Sequence, residues 1–266
     1  MTSHHHPMCD VAILGGGVIG LSIAYELSLR GHQVHVIDRE AIDLTADENQ
    51  TLFPRRTSSW AAAGILPAAS LEAVTDPMDR LRGLSHQLYP RFCRRVEEES
   101  RIDTHFERSG GMYLSSTAGE TASMVGMVAY WRDLEIECEE ISSQDLCVRE
   151  SRLSSWVERH ELARAWFVPD EYQIHPPSLL RALGVACAGR GVNLVGNTVV
   201  VDIDECGTSI AVECEGEVQD LQADRVVVCG GVGIGKMSDR LALNQSVVPV
   251  RGQMLLLRQA DHGLRS

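Results

Sequence analysis

The sequence predicts an α/β protein in which a domain with a parallel sheet is interleaved with an α+β domain whose sheet is mostly antiparallel. The first observation that predicts this fold is the short apolar run Val11–Leu14, which three glycines follow directly. Apolar residues at helical spacing over Val18–Arg30 and an alternating segment over Gln33–Asp38 then complete a β-α-β unit. Such a unit predicts parallel strands joined by a helix.

The rest of the chain predicts two interleaved domains. Helices are expected over 76–102, 118–133 and 178–189, with Leu81, Leu84 and Leu88 on one face of the first. Strands are expected over 193–195, 198–204, 209–213, 225–229 and 247–257. A second glycine-rich turn follows the strand 225–229, so the chain is expected to return to its first sheet. We therefore expect one domain from 1–88 and 172–245, and a second from 89–171 and 246–266.

Composition excludes several classes of function. The formal charge is −13 with a pI near 5.2, so the chain lacks the basic surface that a nucleic-acid partner requires. No apolar stretch reaches the length of a membrane span, and the N-terminus lacks a signal-peptide core. The eight cysteines form no C-x-x-C pair, which favours a reducing cytoplasm and predicts no metal site.

The glycines carry the first chemical signal. Residues 15–20 read G-G-G-V-I-G and satisfy the G-x-G-x-x-G pattern between a strand and a helix. Gly15 permits a tight turn, Gly17 lets a pyrophosphate approach the backbone, and Gly20 lets helix and strand pack closely. The start of the helix offers N–H groups and a partial positive charge to the diphosphate. The pattern predicts a Rossmann-type dinucleotide site.

An acidic residue completes this unit. Asp38 ends the second strand 18 residues after Gly20, where a carboxylate accepts hydrogen bonds from a ribose hydroxyl. A 2′-phosphate would be repelled there, which disfavours NADP. NAD and FAD both remain open on this pattern. The small-residue run at 58–67 indicates either a loop close to a flavin or a tightly packed helix start.

Four segments together resemble the D-amino-acid oxidase family of FAD-dependent oxidoreductases, within it the glycine oxidase branch. They are residues 15–40, 58–68 (SSWAAAGILPA), 223–235 (ADRVVVCGGVGIG) and 247–258 (VVPVRGQMLLLR). They span nearly the whole chain in the order of the family. The resemblance implies FAD as cofactor and a set of cofactor-binding positions: Gly15, Gly17, Val18, Ile19, Gly20, Asp38, Arg39, Ser58, Ser59, Ala62, Ala63, Gly64, Ile65, Val200, Gly230 and Gly231.

Within this set the resemblance places Asp38 at the adenosine ribose and the backbone of Val200 at the adenine. It implies oxidation of the amine of glycine or another small amino acid. The resemblance further implies that hydride passes to flavin N5 and that O₂ reoxidises the flavin to give H₂O₂. A link to the thiazole half of thiamine is also implied. His175 is expected to be structural, and no catalytic residue is assigned.

The family pattern continues beyond residue 266. The arginine that clamps the substrate carboxylate and an active-site tyrosine are expected there, and Arg251 is expected to lie in a salt bridge or at the surface. Two interpretations stay open. The chain is a truncated amino-acid oxidase, or it is a non-catalytic FAD-binding protein completed by another polypeptide. Unpaired strand edges favour self-association, so a homo-oligomer is also considered. An NAD-dependent dehydrogenase is disfavoured by residues 58–68.

Overall fold

The computed structural model describes residues 9–42, 44, 57–72, 74–160, 162–236, 247–250 and 252. Two 3-10 helices in these ranges cover Ser151–Leu153 and Gly231–Lys236. The strands and α-helices are, in chain order, β1 (Cys9–Leu14), α1 (Val18–Leu29), β2 (Val34–Ile37), β3 (Ile65–Leu66), α2 (Pro77–Ser100), β4 (Gly111–Ser115), α3 (Ala118–Asp133), β5 (Glu139–Ile141), α4 (Ser143–Arg149), α5 (Ser154–His160), β6 (Arg164–Val168), β7 (Tyr172–Gln173), α6 (Pro176–Gly189), β8 (Asn193–Val195), β9 (Thr198–Ile203), β10 (Ser209–Cys214) and β11 (Glu217–Val228).

The chain divides into two compact units. The first unit contains the described residues within 1–63, 95–104 and 176–254, and the second contains those within 64–94, 105–175 and 255–266. The two units alternate along the chain, which confirms the predicted interleaved α/β architecture.

A six-stranded sheet forms the centre of the first unit, with the strand order β8-β2-β1-β11-β10-β9. The first four strands are parallel, whereas β9 and β10 are antiparallel to their neighbours. The predicted strand 225–229 is the last part of the longer β11. The observed strand is longer than the predicted one because its first part belongs to a tight hairpin with β10. Glu215 and Gly216 both have positive φ in the turn of this hairpin, after which β11 runs back along β10 and then pairs with β1.

The core of the first unit lies on this sheet. Strand β1 is central in the sheet and parallel to both neighbours, and it is apolar and buried at nearly every position. Helices α1 and α6 pack against each other, and the Cys187 thiol lies 3.5 Å from the Leu21 carbonyl oxygen. The buried cluster on the sheet comprises Cys9, Ala12, Leu14, Ile37, Val200, Ile203, Ile210, Val212 and Ala223.

The second unit contains two antiparallel sheets among its described residues. One has the order β4-β6-β5, and the other pairs β3 with β7. Helix α3 follows β4 and begins with a capping box between Thr117 and Glu120, which explains why its predicted bounds agree with those observed. A small core of Ile141, Leu146 and Ala165 lies between the three-stranded sheet and its helices.

The predicted apolar face of helix α2 is only partly buried. The predicted apolar face contains Leu81, Leu84 and Leu88, but these side chains are 56%, 42% and 52% exposed. Val96, from the same stripe, is fully buried. Periodicity predicts which residues share a helix face, but burial of that face depends on which parts of the fold pack against it.

The predicted strand 247–257 is also corrected in part. Residues 247–250 and 252 lie outside any strand, and Val248 and Val250 are largely exposed. Arg251 and residues 253–266 lie outside the described residues. None of the helices in the described ranges combines the length and apolar character that crossing a bilayer requires.

Candidate cofactor site

The carboxyl ends of three adjacent parallel strands define the site. Leu14, at the end of β1, is in register with Ile37 of β2 on one side and with Val228 of β11 on the other. Gly15, Asp38 and the turn that begins at Cys229 therefore emerge at one edge of the sheet. In open α/β sheets, ligands bind at the carboxyl ends of the strands.

The first glycine turn has little space for side chains. Gly15 has a φ of +119°, and a Cβ there would overlap the carbonyl group of Cys229. A Cβ on Gly20 would overlap the carbonyl oxygen of Gly15. The tight turn at Gly15 and the close packing at Gly20 therefore have a steric basis. A Cβ on Gly17 would lie 3.1 Å from Oγ of Ser59.

Helix α1 begins without a side-chain cap of its own. Its N-cap is Gly17, and no acidic residue lies in its first turn. The Val18 N–H donates to Oγ of Ser59 at 3.1 Å, so one helix-start donor is satisfied by a residue distant in sequence. The absence of acidic side chains in this turn leaves the positive end of the helix dipole available to an anion.

Asp38 is fixed by hydrogen bonds on both carboxylate oxygens. Oδ2 accepts from the Gly16 N–H at 2.5 Å, and Oδ1 accepts from the Glu40 N–H at 2.8 Å. The Asp38 backbone is paired as well, with the Val195 carbonyl and the Thr198 N–H. Because a carboxylate has about four lone-pair positions, both oxygens can still accept a hydroxyl hydrogen.

One cleft brings together most of the predicted cofactor-binding residues. Thr57, Thr198 and Cys229 also line it, and burial raises the pKa of the Cys229 thiol. Arg39 is the basic side chain among the described lining; its guanidinium lies 3.6 Å from the Glu40 carboxylate and is more than half exposed. The predicted residues in the cleft are Gly15, Gly17, Asp38, Arg39, Ser58, Ser59, Val200, Gly230 and Gly231.

Other predicted residues lie outside the lining of this cleft. Gly20 is buried beneath the helix start, and Ile19 is 63% exposed beside it. Ala62 and Ala63 are exposed at the end of the segment that begins at Thr57. Gly64 and Ile65 belong to the second unit, where Ile65 pairs with Gln173 and is 65% exposed.

Seven of the residues that line the cleft were not among the predicted positions: Ile37, Thr57, Thr198, Val199, Cys229, Val232 and Gly233. Thr57 precedes Ser58, Thr198 begins β9 two residues before Val200, and Cys229 joins β11 to the second glycine turn. The alternation of side chains along a strand gives a signal for Thr198, because residues i and i+2 share a face. Thr57 and Cys229 are each adjacent to a predicted residue, and this position is the signal that could have identified them.

The arrangement fits a dinucleotide. The start of α1 carries the positive end of the helix dipole and offers its remaining N–H donors to a diphosphate, and Asp38 offers acceptors to ribose hydroxyls. Gly231 has a φ of +53°, and a Cβ on Gly231 or Gly233 would meet no atom within 4 Å. The second glycine turn therefore leaves open space beside the cleft.

Comparison with known proteins agrees with this geometry. Residues 10–266 match the model of the family described as FAD dependent oxidoreductase. The glycine oxidase of Geobacillus kaustophilus (strain HTA426) is 29% identical over 249 residues, which cover 94% of this chain and 61% of the relative. The bifunctional protein ThiO/ThiG of Trichormus variabilis is 28% identical over 262 residues, covering 94% of this chain and 34% of the relative.

A solved structure shows the same fold. The crystal structure of glycine oxidase from Geobacillus kaustophilus has a TM-score of 0.73 and 27% sequence identity, covering 89% of this chain and 59% of that one. The chain thus spans about three fifths of the length of these glycine oxidases. With a family match over nearly all of its residues, the chain belongs to the FAD-dependent oxidoreductase family that includes the D-amino-acid oxidases.

Proposed function

We propose that the first unit binds FAD in the cleft at the carboxyl ends of β2, β1 and β11. The observation that carries the proposal is the convergence of two glycine turns and Asp38 at one sheet edge. The N–H groups around Gly17 and the start of α1 hold the diphosphate, and Asp38 accepts from the adenosine ribose. The Val200 backbone faces the adenine, and Ser58 and Ser59 continue the diphosphate side.

For two of the remaining predicted positions, the family resemblance supports a role in cofactor binding. Ala62 and Ala63 follow Ser59 in the first unit, and we assign them to the flavin end of the cofactor. Gly230 and Gly231 face the same cleft from β11. The first unit is then the FAD-binding domain, and the second unit contributes to the substrate domain.

We further propose that the whole protein oxidises the amine of glycine or another small amino acid. The names of the glycine oxidase relatives support this substrate class. When bound, FAD would supply the two-electron oxidation, in which the amine, water and O₂ become a 2-oxo acid, ammonia and H₂O₂. The relative named ThiO/ThiG supports a link to thiamine synthesis.

His175 is proposed as a structural residue. Its ring lies edge-on to His105, with 5.8 Å between the centroids, and it directly precedes α6. Both histidines belong to the second unit. No described residue is assigned as the group that removes a proton from the substrate.

Two measurements on the purified chain test these proposals separately. The first records the absorbance spectrum and identifies the nucleotide released by denaturation; we expect one FAD per chain. The second adds glycine, sarcosine or D-alanine, without oxygen to look for flavin bleaching and with oxygen to assay H₂O₂. Failure to bind FAD, even after reconstitution, contradicts the cofactor proposal. Stoichiometric FAD without bleaching supports a non-catalytic FAD-binding protein instead.

A further inference from the structure

A second cavity lies entirely within the second unit. It has a volume of about 480 Å³, which falls within the range of small-molecule pockets. One wall is the loop 66–70, and another is the end of α3 with residues Leu134 and Ile136. Because residues of the second unit alone form this cavity, binding there does not depend on the proposed FAD site.

One face of helix α2 forms the third wall. Asp79, Arg82, His86 and Tyr89 line the cavity, at the spacing i, i+3, i+7 and i+10 that places side chains on one helix face. His86 is buried and stacks on Tyr172, with 4.4 Å between ring centroids. Its Nε2 donates to the Asp170 carbonyl at 2.9 Å, which fixes the ring. The wall is therefore largely aromatic and ordered by its own contacts.

Two polar groups in this aromatic lining have no hydrogen-bond partner in the part of the chain that the structure describes. The hydroxyl of Tyr89 makes no hydrogen bond with any described residue, and burial raises the pKa of Tyr89 to about 12. The side chain of Trp131 is only 8% exposed, and within the described ranges its indole N–H has no acceptor. Neither donor atom is sealed from solvent, because among the described residues the buried side-chain nitrogen or oxygen without a partner is Nε of Arg95, so both donors are accessible to a ligand.

The charged residues on this face of α2 indicate which charge a ligand of the cavity should carry. Asp79 already accepts from the Tyr130 hydroxyl at 2.7 Å and from Nη1 of Arg82 at 2.8 Å. Nε and Nη2 of Arg82 have no acceptor among the described residues. The lining groups without a partner among the described residues are Nε and Nη2 of Arg82, the Trp131 N–H and the hydroxyls of Tyr89 and Ser85, and each of them can donate a hydrogen bond. An acceptor-rich anion matches them, and a planar guanidinium pairs well with a carboxylate.

We propose that this cavity binds a small carboxylic acid with an aromatic body. The carboxylate accepts from Arg82 and from the unpartnered donors of Tyr89 and Trp131. The aromatic body lies against His86, Tyr172 and the apolar side chains of the loop 66–70. Burial of that body supplies most of the affinity, and the donors select the acid over an amine.

Calorimetric titration of the full chain with 3-phenylpropanoate tests the proposal, with 3-phenylpropylamine as the matched probe of opposite charge. We expect saturable binding of the acid and at least tenfold weaker binding of the amine. Arg82→Gln removes the cation and should weaken acid binding about tenfold. Tyr89→Phe and Trp131→Phe keep the rings and should each weaken it about fivefold.

Arg80→Gln is the control variant, because Arg80 is exposed on the same helix and does not line the cavity. It should bind the acid as the wild type does. Circular dichroism melts of all four variants separate lost binding from lost folding. Absence of saturable binding, equal binding of the amine, or equal loss in Arg80→Gln and Arg82→Gln would each overturn the proposal.

Discussion

The Gly16 N–H donates a hydrogen bond to Oδ2 of Asp38, with 2.5 Å between the nitrogen and the oxygen. This bond ties the end of β2 to the glycine turn after β1. The carboxylate therefore has two roles in this structure: it fixes the shape of the glycine turn, and it presents lone pairs to the cleft. Both roles bear on cofactor affinity.

Replacing Asp38 should weaken FAD binding. Asp38→Ala removes both backbone contacts and the proposed ribose acceptor, and we expect FAD affinity to fall by about 2–4 kcal/mol, or roughly thirtyfold to a thousandfold. Quenching of flavin fluorescence on titration of the apoprotein measures this loss. Asp220→Ala is the control, since Asp220 is exposed on β11 and lies outside the cleft lining. Equal affinities for the two variants would refute the role of Asp38.

Gly20→Ala should destabilise the first unit. The new Cβ would overlap the Gly15 carbonyl oxygen, so helix α1 must move away from the turn. We expect the free energy of unfolding to fall by about 1–3 kcal/mol, as for other overpacked sites. Gly126→Ala is the matched control in exposed α3, where a Cβ meets nothing within 4 Å and should stabilise by up to about 1 kcal/mol. Urea denaturation compares both variants with the wild type.

Glu99 should make stability dependent on acid pH. Its carboxylate accepts from both Arg190 and the Tyr25 hydroxyl, and the Arg190 hydrogen bonds are the main reason that the pKa of Glu99 is lowered. A lowered carboxyl pKa stabilises the fold above the unfolded-state pKa, and this contribution is lost as pH falls through the folded-state pKa.

The test is the pH dependence of unfolding in Glu99→Gln. We expect the variant to lose about 1 kcal/mol at pH 7 and much less near pH 3, where the wild-type carboxyl is protonated. Glu205→Gln, at an exposed position, should follow the wild-type curve throughout. A constant difference between Glu99→Gln and wild type at all pH values would contradict the linkage.

Glu171 should have the opposite pH dependence. It is 5% exposed, and burial raises the pKa of its carboxyl, although the hydrogen bond from Tyr113 acts against this shift. A raised carboxyl pKa gives stability that is fully present below the unfolded-state pKa and is lost as pH rises through the folded-state pKa. The ionised form is therefore costly at neutral pH.

Glu171→Gln keeps an acceptor for Tyr113 and removes the ionisation. We expect its Tm to exceed that of the wild type by about 2 °C or more at pH 8 and to equal it near pH 4. Glu171→Leu should lower the Tm at both pH values, because it leaves the Tyr113 hydroxyl without its acceptor. A lower Tm for Glu171→Gln at pH 8 would show that the carboxylate is stabilised by its surroundings.

Local signals predicted much of the first unit. The glycines after β1, the helix that starts at Val18 and the strand before Asp38 are each read from neighbouring residues, because turn sterics and side-chain periodicity act over a few positions. The capping box fixed the start of α3 for the same reason. The sequence did not predict the full length of β11, because the first part of this strand pairs with β10 in a hairpin and the last part pairs with β1 in parallel.

The sequence by itself determined the β-α-β unit, the glycine turn and the acidic residue that follows, because backbone conformation at these positions depends on local residue types. Tertiary structure decided where these parts meet. The hydrogen bond from Gly16 to Asp38 joins residues 22 positions apart, and the bond from Val18 to the Ser59 hydroxyl joins residues 41 positions apart. The cavity between α2 and α3 brings together residues that are still farther apart in the chain. Such contacts depend on strand order and packing, which no local pattern specifies.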